Sequence, residues 1–293
     1  MRPIKILSDS CCDLGKELRE KYDIDYARMN TVYHDKETVA DLDFTEYTPK
    51  ELYDIMRNGE RVKTTQVPAA EFERIFTKYA NEGYDIVYIA CSSKQSGSVH
   101  TAEVVAKQIM EKTTASIFCI DSLNASLGEG ALAVRAAEYR DMGLSAEEVY
   151  RKTMGDRKKV NEFVTVHSLD ALKRAGRIKA SKAFFGNLLG VKPIIIADKN
   201  GEQTPIKKVK GRKNSLEEIV NLLADAIIEP ENQRVYIGHA DTEEEALEVK
   251  KLVEEKIHPK EIYIGYIGPI IGASIGPSAI VVVGFGKEVT FEG

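Results

Sequence analysis

The chain predicts an α/β protein of two domains. An N-terminal parallel-sheet, Rossmann-like α/β/α domain is expected over 1–157, and a C-terminal α+β domain with a mixed or antiparallel sheet over 158–293. Three observations carry this. Strand–turn–helix units recur early: Ile4–Leu7 runs into Ser8-Asp9-Ser10, Ile86–Ala90 into Ser92–Ser98, and Ala115–Ile120 into Asp121–Ser126, each followed by a helical pattern. Later, Lys192–Ala197 and Gln203–Ile206 flank Asn200-Gly201, a hairpin signal that contrasts with the parallel units before it. The length of 293 residues is ample for two cores.

In order, the first strand is followed by a helix over Leu14–Tyr22, then a strand and hairpin around His34-Asp35-Lys36. Thr48-Pro49-Lys50-Glu51 opens a helix, with the threonine as N-cap and proline in the first turn. Val62–Pro68 reads as a loop whose hydroxyls and amide either cap the next helix, Ala69–Ala80, or reach a ligand. In the turn before Val99, serines and Gly97 precede a helix start. Unpaired amides there, together with hydroxyls, suit an anion, although a serine N-cap accounts for the same residues. Ligand crevices of open parallel sheets lie beyond the carboxyl ends of the strands, so the three Ser/Asp-rich turns are expected along one edge.

Beyond Ser145 a helix leads to strand Phe163–Val166, then helix Ser168–Ala175 closed by Gly176, and an apolar helix over Ser181–Leu189. After the hairpin come helix Ser215–Ile228, strand Arg234–Gly238, helix Thr242–Lys256, strand Glu261–Tyr266, a Gly-rich loop Ile267–Pro277 and strand Ala279–Phe285.

Composition narrows the function classes. With 30% charged and 43% hydrophobic residues the chain is globular, and a net charge of −5 argues against general nucleic-acid binding. No apolar run reaches membrane-spanning length, and Met1-Arg2-Pro3-Ile4 lacks a signal-peptide core, so no stable membrane insertion and a cytoplasmic location are expected. Cys11, Cys12, Cys91 and Cys119 form no Cys-x-x-Cys pair. Cys11-Cys12 offers a strained vicinal disulfide or, more commonly in a reducing compartment, buried thiols. Five histidines, scattered without ligand spacing, give metal catalysis no support.

Gly272-Ala273-Ser274-Ile275-Gly276 matches the hydrolase Gly-x-Ser-x-Gly elbow, but a strand rather than a helix is expected after it and no histidine follows Ser274. No Gly-x-x-x-x-Gly-Lys-Ser/Thr loop occurs. A basic group, Lys173, Arg174, Arg177, Lys179 and Lys182, then Lys207, Lys208, Lys210, Arg212 and Lys213, reads as a solvated face, a docking surface or a phosphate contact.

Taken in register, Ser8-Asp9-Ser10 with Asp13-Leu14, Lys63-Thr64-Thr65-Gln66, Ser92-Ser93-Lys94-Gln95-Ser96-Gly97-Ser98, Asp121-Ser122, Gly176-Arg177-Ile178, Lys192-Pro193-Ile194, Lys210-Gly211-Arg212-Lys213 and Ile267-Gly268-Pro269-Ile270-Ile271-Gly272-Ala273 resemble the DegV family of bacterial fatty-acid-binding proteins over the whole chain. The resemblance implies a non-catalytic protein that binds one long-chain fatty acid in an apolar pocket between or near the two domains, without a cofactor. It further implies presentation of the carboxylate to an ATP-dependent fatty acid kinase for acyl-phosphate formation. The family's carboxylate-binding hydroxyls map onto Thr64 and Ser96, with Thr65, Gly97 and Ser274 beside them; Arg177 falls at the docking position, with Lys210 and Arg212 as further docking groups. Ser274 replaces the histidine usual in Gly-Ala-His-Thr-Gly-Pro-Gly, Gln95-Ser96-Gly97-Ser98 stands for Leu-Ser-Gly-Thr, and Cys11-Cys12 replaces small non-thiol residues. Burying about fifteen methylenes at roughly 0.8 kcal/mol each gains on the order of 12 kcal/mol before association costs, so the tail would supply affinity and the hydroxyls orientation. The alternative is an enzyme for a phosphorylated or carbonyl substrate, using Asp9, Asp121 and Ser96.

Overall fold

The structure, a computed structural model, describes residues 2–179, 184 and 190–293. The expected helix over Ser181–Leu189 lies outside the described residues apart from Phe184, as does Lys182.

The first sheet is parallel and four-stranded. Its strands are β1 (Ile4–Asp9), β2 (Ile24–Ala27), β6 (Asp85–Ala90) and β7 (Ile117–Asp121), in the order β2-β1-β6-β7. The chain leaves β1 for a neighbour on one side and returns on the other, so the strand order reverses between β1 and β6. At such a point the helices after the two strands diverge and leave a crevice at the carboxyl ends. The helices here are α1 (Lys16–Lys21), α3 (Ala69–Asn81), α4 (Ser98–Met110), α5 (Ser126–Asp141) and α6 (Ala146–Asp156).

A small antiparallel sheet sits beside it: β3 (Met29–Tyr33), β4 (Lys36–Ala40) and β5 (Lys63–Thr64), with β3 central. His34 and Asp35 both take positive φ, 46° and 58°, as a two-residue hairpin requires. The expected loop Val62–Pro68 therefore contains a short strand, held because Thr31 of β3 pairs with Thr64. α2 (Pro49–Arg57) begins as its sequence demands, with Thr48 and Glu51 forming a reciprocal capping box.

The second half builds a six-stranded mixed sheet from β8 (Val160–Thr165), β9 (Val191–Ala197), β10 (Gln203–Lys210), β11 (Arg234–His239), β12 (Glu261–Tyr266) and β13 (Ile280–Phe285). Its order is β10-β9-β8-β13-β11-β12, with only β11 and β12 parallel. Its outer face packs on α8 (Arg212–Ala226) and α9 (Glu243–Lys256) through Ile194, Phe163, Ile280 and Val282. Side chains alternate along a strand, so Val160, Val164, Ile195, Val281 and Val283 point to the inner face. α7 (Asp170–Ala175) ends at Gly176, left-handed at φ 70°, as the sequence predicts.

α5 lies between the two large sheets, touching β1 and β6 on one side and β8, β11 and β13 on the other. It is apolar around most of its circumference and carries small residues, so both sheets can approach it. Gly130 is one such approach, because a Cβ there would meet the Cys12 carbonyl at 2.4 Å.

One expectation fails. The Gly-rich loop Ile267–Pro277 is largely a helix, α10 (Pro269–Ile275). Proline at its first turn preorganises the start, and burial of Ile270 and Ile275 outweighs the poor helix propensity of Gly272. Gly272 also gives room for Tyr53, whose hydroxyl oxygen would lie 2.5 Å from an added Cβ.

Candidate functional site

The turns at the carboxyl ends of β1, β6 and β7 do share one edge, but many of their polar groups are committed to the fold. Asp9 is fully buried; one oxygen accepts from Cys11 N at 2.9 Å, the other from Tyr88 Oη at 2.7 Å and Cys91 N at 3.1 Å. Burial raises its pKa in spite of these donors. Asp121 accepts the backbone amides of Ser93 and Leu123 through one oxygen. Asp13 ties three segments together, accepting from Ser126 Oγ at 2.6 Å and Gly268 N at 2.8 Å, and burial pushes its pKa up to about 8. Ser92 donates to Gly201 O at 2.8 Å, which anchors the β9–β10 hairpin on the first sheet. Gly201 has φ +83°, and a Cβ there would meet Ser92 Oγ at 2.3 Å, so this docking depends on glycine.

Between this edge, the inner face of the six-stranded sheet and α10 lies a cavity of about 920 Å³ including its open mouth. Val164, Leu172, Ile195, Ile270, Ile271 and Val281 give it an apolar wall. Thr64, Thr65, Ser96, Gly97 and Ser274 all line it, as does Arg177, so the geometry brings together every predicted head-group residue and one of three predicted docking residues. Lys210 and Arg212 do not line it. Arg212 is instead held by both oxygens of Glu245, at 2.9 and 2.6 Å, and donates to Ser278 O.

The hydroxyls differ in how far the protein satisfies them. Thr65 Oγ1 is shielded from solvent and has no partner among the described residues, a hydrogen-bonding position left open at the cavity. Ser96 Oγ accepts from Ser98 N at 3.2 Å and shares a 2.8 Å contact with Ser98 Oγ, which itself accepts from Val67 N. With Ser98 as the donor in that pair, Ser96 keeps its own proton to give. Ser274 bonds back to Ile270 O at 3.2 Å within α10. The N-cap of α4 is Gly97 rather than a serine, and no side chain caps that helix or α3, so the Thr64–Gln66 hydroxyls and amide serve neither helix start. Gln66 crosses instead to Thr101 Oγ1 at 3.0 Å, running over Gly97, where a Cβ would meet its Oε1 at 2.2 Å.

A second cleft of about 760 Å³ opens beside the mouth and shares Thr64, Arg177 and Ser274 with the cavity. It adds Arg61, Lys63 and Arg174 against the single acidic residue Glu60. Arg61 and Lys63 stand outside the basic group that the sequence predicts because their neighbours Arg174 and Arg177 lie more than a hundred positions away. Within the predicted basic group, Lys179 pairs with Glu202 and Lys207 with Glu218, each at 2.7 Å, and so behaves as part of a solvated face.

All four cysteines are free thiols. Cys11 faces Cys91 rather than pairing with Cys12, and both line the cavity with Met29. The hydrogen bond to Cys91 and burial push the Cys11 thiol well up, and burial takes Cys12 to about 12, so neither is an activated nucleophile. No helix among the described residues is long and apolar enough to cross a membrane.

Comparisons with known proteins find relatives over nearly the whole chain. The family profile described as an uncharacterised protein of the DegV family matches residues 3–286. A DegV domain-containing protein of Clostridium perfringens is 35% identical over 291 residues, covering 98% of this chain and 100% of the relative. A Thermotoga maritima protein named fatty acid-binding protein is 31% identical over 297 residues, covering 98% of each chain. A solved structure from Thermus thermophilus, described as showing fatty acid binding of a DegV family protein, superposes with a TM-score of 0.87 at 25% identity, covering 98% of this chain and 100% of the other. On a match that runs from β1 through β13, the chain belongs to the DegV family.

Proposed function

We propose that this chain binds one long-chain fatty acid in the cavity, with the acyl tail against the aliphatic wall and the carboxylate at the Thr64, Thr65, Ser96, Gly97 and Ser274 end. The observation that carries the reading is the pairing of an apolar wall with hydroxyls that the protein leaves unspent, above all Thr65 Oγ1. A desolvated carboxylate must be hydrogen-bonded, and these donors, with the Ser96 proton, are what it needs. The names of the Thermotoga and Thermus proteins support the same ligand class.

The proposal includes presentation of the carboxylate to an ATP-dependent kinase, in the cytoplasm, with this chain performing no phosphoryl transfer itself. The basic cleft beside the mouth supports it, since Arg61, Lys63, Arg174 and Arg177 suit phosphate oxygens arriving at the carboxylate. Arg177 is the docking residue retained; its Nε donates to Gln95 O at 3.0 Å, which fixes the side chain at the edge shared by both cavities. The division at residue 157 belongs to the same reading, with the ligand between the halves. The enzyme alternative gains nothing from Asp9 and Asp121, whose cited oxygens already serve the fold.

Mass spectrometry of an organic extract of the purified protein tests the ligand. A stoichiometric long-chain acid is expected, and its reproducible absence overturns the reading. With a competent kinase, Ser96→Ala and Thr64→Ala are expected to copurify with lipid yet fail to support acyl-phosphate formation.

A further inference from the structure

The sheet face that walls the cavity breaks its apolar pattern at one place. On this face β8 carries Val160, Glu162 and Val164, with Val166 just past its end; the three valines are buried and Glu162 is a carboxylate only 4% exposed. Glu162 Oε1 accepts from Gln203 Nε2 at 3.2 Å, whereas Oε2, shielded from solvent, has no full hydrogen bond among the described residues: the nearby Gly128 amide draws the Glu162 pKa down but donates to Ala125 O. Both residues line the cavity. A cavity shaped for hydrocarbon alone has no use for such a group, and an unmet buried carboxylate oxygen is costly.

Oε2 stands close to Gly128, where an added Cβ would sit 2.6 Å away, so glycine at this point of α5 is what lets the carboxylate approach the helix. Gln203 is held in turn: its backbone amide donates to the Gln95 side chain at 3.1 Å, in the amide orientation that satisfies both neighbours. The pair is thus a fixed polar patch on an otherwise aliphatic wall. Burial brings the Glu162 pKa to about 7, so ionised and protonated forms both occur near neutrality. An alcohol serves either form, as donor to the carboxylate or acceptor from the acid. Saturated hydrocarbon serves neither.

We propose that the cavity selects long-chain fatty acids bearing a hydroxyl group on the acyl chain, with Glu162 Oε2 as the partner of that hydroxyl and Gln203 positioning the carboxylate. The proposal rests on the fatty-acid reading and names the substrate class within it. A site built around a polar partner discriminates against the analogue that lacks the matching group, because the partner is then left unmet.

Displacement of a bound fluorescent fatty acid from the full-length protein, by stearic acid and by 3-, 10- and 12-hydroxystearic acids, tests it. At least one hydroxy acid is expected to bind about tenfold more tightly than stearic acid, with the ratio falling to one or below in Glu162→Leu and partly retained in Glu162→Gln. Stearic acid equalling or exceeding every hydroxy acid overturns the proposal and leaves the fatty-acid reading standing; a preference that survives Glu162→Leu overturns the assignment to Glu162. Displacement by none of the acids overturns both readings. The wild-type ratio alone decides if Glu162→Leu does not fold.

Discussion

The carboxyl ends of the parallel strands and the rim formed by β5, the α4 start and α10 both carry hydroxyl side chains, joined at the strand ends by aspartates, yet they spend their polar groups differently. At the strand ends Asp9, Asp13 and Ser92 meet backbone amides, hydroxyls and carbonyls of other segments. At the rim Thr65 Oγ1 meets no partner among the described residues, and Ser96 has a proton to give when Ser98 is the donor of their pair. Composition alone does not separate a hydrogen-bonded brace from a ligand contact; the count of satisfied positions does.

Removing a brace is expected to cost the most. Asp9→Ala strands the amides of Cys11 and Cys91 and the Tyr88 hydroxyl, and should lower unfolding free energy by roughly 3 kcal/mol or more. Urea denaturation checks this, and a loss below about 1 kcal/mol would put Asp9 in the same class as the rim residues.

The next effect is on pH dependence. Asp13 has its folded pKa raised from 3.8 to about 8 by burial, so the folded state holds a proton that the unfolded state releases. Its stabilisation is complete below the unfolded pKa and is lost as pH rises through the folded one. Asp13→Asn keeps an acceptor for Gly268 N without an ionisable group, and should flatten the decline in stability between about pH 4 and pH 8. An unchanged slope would place that titration on other buried acids such as Glu129, whose pKa burial also raises well above its usual value.

At the rim the expected costs shrink and change sign. Ser96→Ala should cost about 1 kcal/mol, the typical worth of a hydrogen bond, because Ser98 N and Oγ lose one partner. Thr65→Val exchanges an unsatisfied hydroxyl for a methyl and should be neutral or stabilising by up to about 1 kcal/mol while weakening fatty-acid binding. Destabilisation by Thr65→Val would show that the hydroxyl has a structural partner, and the contrast between the two regions would fail.

Much of this molecule was legible in the sequence because its signals are local. Thr48 announces an N-cap, Ser145 a helix start, Gly176 a helix end, and the Ile86–Ala90 run a buried parallel strand. The predicted rim residues converge on the cavity as a set. What escaped depends on contacts far apart in the chain. Ile267–Pro277 reads as a loop because five of its eleven residues are glycine or proline, whereas docking of α10 against Tyr53 and α7 decides its form. Lys63–Thr64 is too short to signal a strand without Thr31 beside it. Glu162 sits one residue before the run Phe163–Val166, and its neighbours Gly128 and Gln203 come from other elements. The facing of Cys11 and Cys91 follows from β1 lying next to β6, which adjacent cysteines in the sequence obscure.

The hairpin that Ser92 holds through Gly201 belongs to the second half of the chain, and so does most of the aliphatic wall, while the hydroxyl rim is largely from the first. Neither half synthesised alone would contain the cavity. Any occupant therefore bridges the two and adds RT ln(1 + [L]/Kd) to the free energy that keeps them together. In a cell, the lifetime of this protein against proteolysis would rise and fall with the supply of its ligand.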